Sequence, residues 1–159
     1  MAIFLKYGDI KGETTQLTHK EWIEVNSFQF GVGRGISMGV GGGSKREATA
    51  PSVSEIVLTK SFDIASPLLL KEAIGGKAVK VKIEFTQTDN SGKHVAFQKY
   101  ILDDCLLSGY SISSGGDRPS ESISLNFGKI DSEYLNIDSK FNAKTTGHVI
   151  YDIGLAKLT

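Results

Sequence analysis

The stretch FGVGRGISMGVGGGSKREAT, residues 30–49, holds seven glycines in twenty residues and carries the adjacent bases Lys45 and Arg46. Glycine beside lysine is the chemistry of a phosphate cradle, in which backbone N–H groups and an ammonium surround an anion. The spacing does not fit that chemistry. A P-loop needs Lys and then Ser or Thr directly after its last glycine, whereas Gly43 is followed by Ser44-Lys45-Arg46. A dinucleotide fingerprint needs a third glycine in G-x-G-x-x-G, but Gly31 and Gly33 lead to Ile36, and Gly39 and Gly41 lead to Ser44. Both signatures also open a helix, whereas this segment runs into Ala50-Pro51 and a strand-like run. Long loops inside compact domains tend to be functional. The segment, at about residues 31–52, therefore reads as an interaction arm, with Arg34, Met38, Lys45 and Arg46 as its candidate contacts.

The other reactive residue types do not converge. His19, His94 and His148 lie far apart, form no H-x-H or H-x-x-x-H pair, and read as surface histidines beside turns or strand ends. Asp103 and Asp104 are adjacent, so on a strand they point to opposite faces. Ser108, Ser111, Ser113 and Ser114 lack the G-x-S-x-G elbow. Cys105 is the only cysteine, which excludes an intrachain disulfide and a cysteine-based zinc site and suits a reducing compartment. In YILDDCLLSGY it reads as a buried strand residue. No catalytic residue, metal site or cofactor site is expected, and the chain does not read as an enzyme.

Alternating strands must position whatever function there is. AVKVKIEFTQT sets Val79, Val81, Ile83 and Phe85 against Lys80, Lys82 and Glu84. DNSGK is a hairpin turn. In EWIEVNSFQF, Ile23 and Val25 share a face while Phe28 and Phe30 fall out of phase with them. A bend or bulge near Asn26-Ser27 accounts for that slip, and beyond it Gln29 faces away from the core. HVAFQKYILDDCLLSGYSIS is long enough for one bent strand or two shorter ones. SPLLLKEAIGGK is the one convincing helix, with Ser66 to cap it, Pro67 in the first helical position and Gly75 as a left-handed C-terminal residue. About eight or nine strands and one short flanking helix predict a mainly β fold, a compact barrel or sandwich.

A chain of 159 residues predicts a single domain, here spanning 1–159. Basic and acidic residues balance at 18 each, which argues against nucleic-acid binding and removes the self-repulsion that keeps copies apart. No stretch approaches the length of a membrane span, so membrane insertion is not expected. MAIFLKYGDIKGE has no basic region followed by a long apolar one, so any export is expected to use a route other than the general secretory signal.

IFLKYGDIKGE, HKEWIEVNSFQFGVGRG, the glycine-rich loop, SPLLLKEAIGGK and SISLNFGKIDSEY match in order the pattern of the hemolysin-coregulated protein (Hcp) family, which this chain resembles. The resemblance runs from Ile3 to about Ile153. Tryptophan is frequent in the family where this chain has Phe28 or Phe30. The resemblance implies a β-barrel with a flanking helix, similar to phage tail-tube proteins. It further implies hexameric rings that stack into the inner tube of a type VI secretion system. The implied partners are other copies of the chain, a spike protein, a contractile sheath and secreted effectors carried in the central hole. The implied itinerary is assembly in the bacterial cytoplasm and release to the extracellular space or a target cell without a signal peptide. In that setting Arg34, Met38, Lys45 and Arg46 become ring or stacking contacts, and Gln29 becomes a residue of the lumen wall. The alternative left by the residues alone is a monomeric β-sandwich that binds a ligand such as carbohydrate.

Overall fold

A computed structural model describes residues 1–39 and 46–159. The chain is mainly β. In order it forms β1 (Ala2–Tyr7), β2 (Ile23–Val25), β3 (Ser27–Gln29), β4 (Val32–Gly33), β5 (Ile36–Met38), β6 (Arg46–Ala48), β7 (Ser52–Val53), β8 (Ile56–Ser61) and α1 (Ser66–Gly75). Then come β9 (Val79–Thr88), β10 (His94–Ser113), β11 (Ser120–Asn126), β12 (Lys129–Ile137), β13 (Ala143–Asp152) and β14 (Lys157–Leu158). This exceeds the eight or nine strands expected because β4 to β7 form two small two-stranded ribbons within the glycine-rich segment, apart from the ten-stranded sheet.

One strand organises the rest. The 20-residue β10 pairs first with β9 and β12 and then, past an irregularity between Leu102 and Cys105, with β11, in a ladder that is itself irregular between Leu107 and Gly109. Asp104 sits in the first irregularity with φ +54°. Each extra residue bends the strand, so β10 belongs to both layers. One layer runs β2-β1-β9-β10-β12-β13-β14 and the other β10-β11-β8-β3. The layers join through β10, and the sheet edges stay open rather than closing into a barrel.

The slip at Asn26-Ser27 is a change of layer. β2 pairs with β1, whereas β3, two residues later, pairs with β8. The core lies between the layers: Leu5 and Tyr7, Val81 and Ile83, Leu102 and Cys105, Ile56 and Leu58, and Ile123 and Leu125, with Leu69 entering from α1. Each fully buried aliphatic side chain contributes about 1.5–3 kcal/mol.

The helix ends differ from expectation. Ala65 occupies the N-cap and supplies no side-chain cap. Ser66 lies inside the first turn, where its Oγ accepts the Asp63 N–H at 2.9 Å. Gly75 is helical, without positive φ. The chain leaves through extended Gly76, where a Cβ would stand 2.7 Å from the Glu72 carbonyl oxygen. A side chain at that position would clash with backbone.

Candidate functional site

Two surfaces stand out: the glycine-rich arm and the outer face of the layer that contains Gln29. The arm is an antiparallel ribbon. Val32 and Gly33 pair with Val53 and Ser52, and Ile36, Ser37 and Met38 pair with Ala48, Glu47 and Arg46. Gly31 and Ser54 close its base through two 2.9 Å bonds, Gly31 N–H to Ser54 Oγ and Ser54 N–H to the Gly31 carbonyl. Between the two ribbons, the Gly35 N–H donates to Thr49 Oγ1 and the Thr49 N–H to the Gly35 carbonyl, each at 2.8 Å. A Cβ on Gly35 would stand 3.3 Å from that hydroxyl, so glycine allows the close pairing.

The residues from Gly31 to Gly39 and from Arg46 to Ser52 are all exposed. Cross-strand partners project to the same side, so Val32 with Val53, Ile36 with Ala48 and Met38 with Arg46 share sides of the ribbon. The structure places Arg34 at the arm's root and sets Met38 directly opposite Arg46. Lys45 lies outside the described residues. At the root, Phe30, Val32, Arg34, Pro51 and Val53 face Ile130, Val149, Tyr151, Ala156 and Leu158 across an apolar groove of about 470 Å³.

Gln29 is exposed and pairs with Val57 on the solvent side of its layer, opposite in phase to Phe28. Phe28 stacks on Tyr100 with centroids 5.1 Å apart and meets Phe85 edge-on. The registers set Gln29 in a row with Val57, Ser124 and Gly109. The next row is Ser27, Thr59, Ser122 and Ser111, and a third is Ser61, Ser120 and Ser113. Ser27 and Thr59 hydrogen-bond across the strands. The three rows make a face of small hydroxyls without a charged side chain. The outward direction of Gln29 is legible in the sequence, and the hydroxyl rows were missed. Serine at alternate positions, Ser120, Ser122 and Ser124 in one strand and Ser111 and Ser113 in its partner, is the signal that could have revealed them.

Two buried polar clusters also escaped the sequence reading. Lys60 is fully buried, and its Nζ donates to Asp63 Oδ1 at 2.9 Å, the Ser61 carbonyl at 2.9 Å, Glu121 Oε2 at 3.1 Å and Ser66 Oγ at 3.3 Å. This network fastens β8 and β11 to the start of α1. Burial first, and then the Glu121 carboxylate, pushes the Tyr110 phenol up to about 12.

His19 corrects the expectation of surface histidines: it is only 3% exposed. Its ring stacks on Phe4 at 4.6 Å and meets Trp22 edge-on, with Nε2 2.5 Å from Glu84 Oε2. His94 is half-buried with Nδ1 3.0 Å from Thr86 Oγ1, and His148 is exposed beside Asp131. Cys105 is buried as expected, and burial, reinforced by Asp104, pushes its thiol up to about 12. Asp103 turns to Lys80 at 3.4 Å. Among the described residues, no group of three or more His, Cys, Asp and Glu side chains is placed to hold a metal ion.

Residues 4–134 match the profile of the family described as type VI secretion system effector, Hcp. Protein hcp1 of Pseudomonas aeruginosa is 31% identical over 137 residues, covering 83% of this chain and 82% of that protein. Among solved structures, a type six secretion system protein superposes with a TM-score of 0.87 at 26% identity over 99% of both chains. Hcp1 from Salmonella typhimurium superposes with a TM-score of 0.76 at 25% identity, covering 99% of this chain and 98% of that one.

Proposed function

Because this chain belongs to the Hcp family of type VI secretion proteins, we propose that it is the subunit of a hexameric ring, and that its rings stack into a secreted inner tube. The likeness to a type six secretion system protein over 99% of both chains is the observation that carries this reading. It also supports treating residues 1–159 as one tube domain that bears the arm at about 31–52.

A ring needs a head-to-tail contact that closes on itself. The arm suits that role: an isolated two-stranded ribbon is marginal in water, and its exposed apolar residues gain burial against another copy. Met38 and Arg46 then touch the neighbouring subunit or the next ring, as do Arg34 at the root and Lys45 beyond the described residues. Gln29 and the serine rows form the wall of the central hole. An uncharged hydroxyl surface offers hydrogen bonds to a passing effector without the hold of paired charges. In this reading the tube assembles in the bacterial cytoplasm, engages a spike and a contractile sheath, and leaves with its cargo.

Negative-stain electron microscopy of the purified protein tests the proposal. Rings with a central hole, or tubes built from them, are expected. Uniform monomers across micromolar concentrations would overturn it and favour the monomeric ligand-binding β-sandwich.

A further inference from the structure

Charge on the outer face of the layer that holds β1 and β9 follows a rule with one exception. Where two such residues are cross-strand partners, their signs oppose: Lys99 lies between Glu84 and Glu133, Asp103 beside Lys129, and Lys129 beside Asp152. The exception is Lys6 of β1, set directly opposite Lys82 of β9, both exposed. Like charges so placed destabilise a sheet. The neighbourhood adds to the excess. Beyond β1 the chain turns at Gly8, with φ +53°, whose N–H donates to the Lys80 carbonyl at 3.1 Å. The connector that follows brings in Lys11 and Lys20. Two hollows of about 360 and 220 Å³ open here, sharing Lys6, Gly8 and Asp9 on their walls. Lys80 and Lys82 line the larger, and Lys11, Lys20 and Trp22 the smaller. Glu21 pairs with Lys11 at 3.5 Å and Asp103 with Lys80 at 3.4 Å. Among the described residues Lys6, Lys20 and Lys82 form no ion pair. In a chain with 18 basic and 18 acidic residues this surplus is local.

We propose that this surface binds an extended acidic segment of a different protein, with carboxylates at alternate positions. Lys80 and Lys82 are two residues apart on one strand, so they project to one side about 7 Å apart. An extended segment presents alternate carboxylates at the same spacing, and Lys6 widens the row toward the smaller hollow. A carboxylate lying between Lys6 and Lys82 would also relieve their repulsion. A broad anionic surface fits less well. Phe4, two residues from Lys6, has Glu24 and Glu84 as its cross-strand partners, so a membrane or a duplex pressed onto the lysines would meet these carboxylates too. One narrow strand lying along the hollows avoids them. The surface shares no residue with the arm or with the hydroxyl rows, and the inference does not rest on the ring reading.

A fluorescein-labelled peptide of alternating glutamate and threonine tests it by anisotropy. It should bind with a micromolar Kd at about 50 mM salt and weaken steeply by about 300 mM. A peptide of the same composition, with its glutamates in one block, should bind less tightly. Lys6→Gln and Lys82→Gln should each weaken binding by about fivefold or less, and K6E/K82E by about tenfold or more. The control K140E/K144E makes the same change in net charge elsewhere on the exposed surface and should leave binding unchanged. Lys6→Gln should also keep or raise the denaturant midpoint, since it removes a repulsion. A lowered midpoint would make the pair structural and overturn the proposal. So would equal weakening by K140E/K144E, or no binding at about 100 μM peptide in low salt. Equally tight, lysine-dependent binding of phosphatidylglycerol vesicles or duplex DNA would overturn it in favour of those partners. Loss of assembly in K6E/K82E would overturn it in favour of a contact between copies.

Discussion

β9 and the arm ribbon are both antiparallel, and both satisfy their backbone by cross-strand hydrogen bonds. They differ in what lies against their faces. β9 buries Val81 and Ile83 completely against β1, β10 and the opposite layer. The ribbon of Ile36–Met38 and Arg46–Ala48 leaves every residue exposed, Met38 at 71%. Fixing each backbone residue costs about 1–2 kcal/mol, with glycine losing more freedom than any other residue. In β9, apolar burial offsets that cost within the chain. In the described residues of the arm no such burial offsets it. Backbone pairing describes both regions; burial decides which of them is complete in one copy.

The sharpest way to break the complete region lies in its buried charges. Lys60→Met leaves Glu121 and Asp63 without their cation and should lower stability by about 3–5 kcal/mol in denaturant unfolding. The double variant K60M/E121L should recover most of that loss, because replacing a buried pair with apolar groups is often close to neutral. An unchanged midpoint for Lys60→Met would show that the network does not hold β8, β11 and α1 together.

A smaller effect on the same region comes from alkali. Burial, then the neighbouring Cys105, pushes Tyr7 from 10.0 up to about 12, and burial, then Asp104, pushes Cys105 from 9.0 up to about 12. The unfolded chain gives up these protons first. The stability linked to them is therefore whole below about pH 9 and is lost as pH rises toward 12. Denaturant midpoints that stay flat from about pH 8 to 11 would contradict this.

The smallest effect on the fold should come from the arm. Shortening residues 39–44 should leave the unfolding midpoint within about 0.5 kcal/mol of the parent. The same variant should stack poorly in the microscope and be secreted less. Normal tubes and normal secretion would reduce the arm to a spacer.

Legibility in the sequence divides along the same line. The alternation of Val79, Val81, Ile83 and Phe85, and the phase slip at Asn26-Ser27, are local patterns, and the structure has them as β9 and as the change of layer. The outward direction of Gln29 comes from that slip. Ser66 does not cap the helix because its hydroxyl is taken by the Asp63 N–H and Lys60, a competition set by tertiary packing. Lys60 with Glu121 and His19 with Glu84 were not legible, since the partners are 61 and 65 residues apart and meet only in the folded chain. The ribbon within the arm was not legible either. Seven glycines in residues 30–49 carry little strand preference, and its ladder rests on a few pairs such as Val32 with Val53.

The central claim is that one copy of this chain holds a finished core and an arm finished by another copy. Amide hydrogen exchange across the concentration range of assembly tests it most directly. The account predicts that β1 and β9 amides are protected at every concentration, while Gly31, Gly35, Thr49 and Ser54 gain protection only when rings form. Arm amides as well protected in the monomer as in the assembly would contradict it.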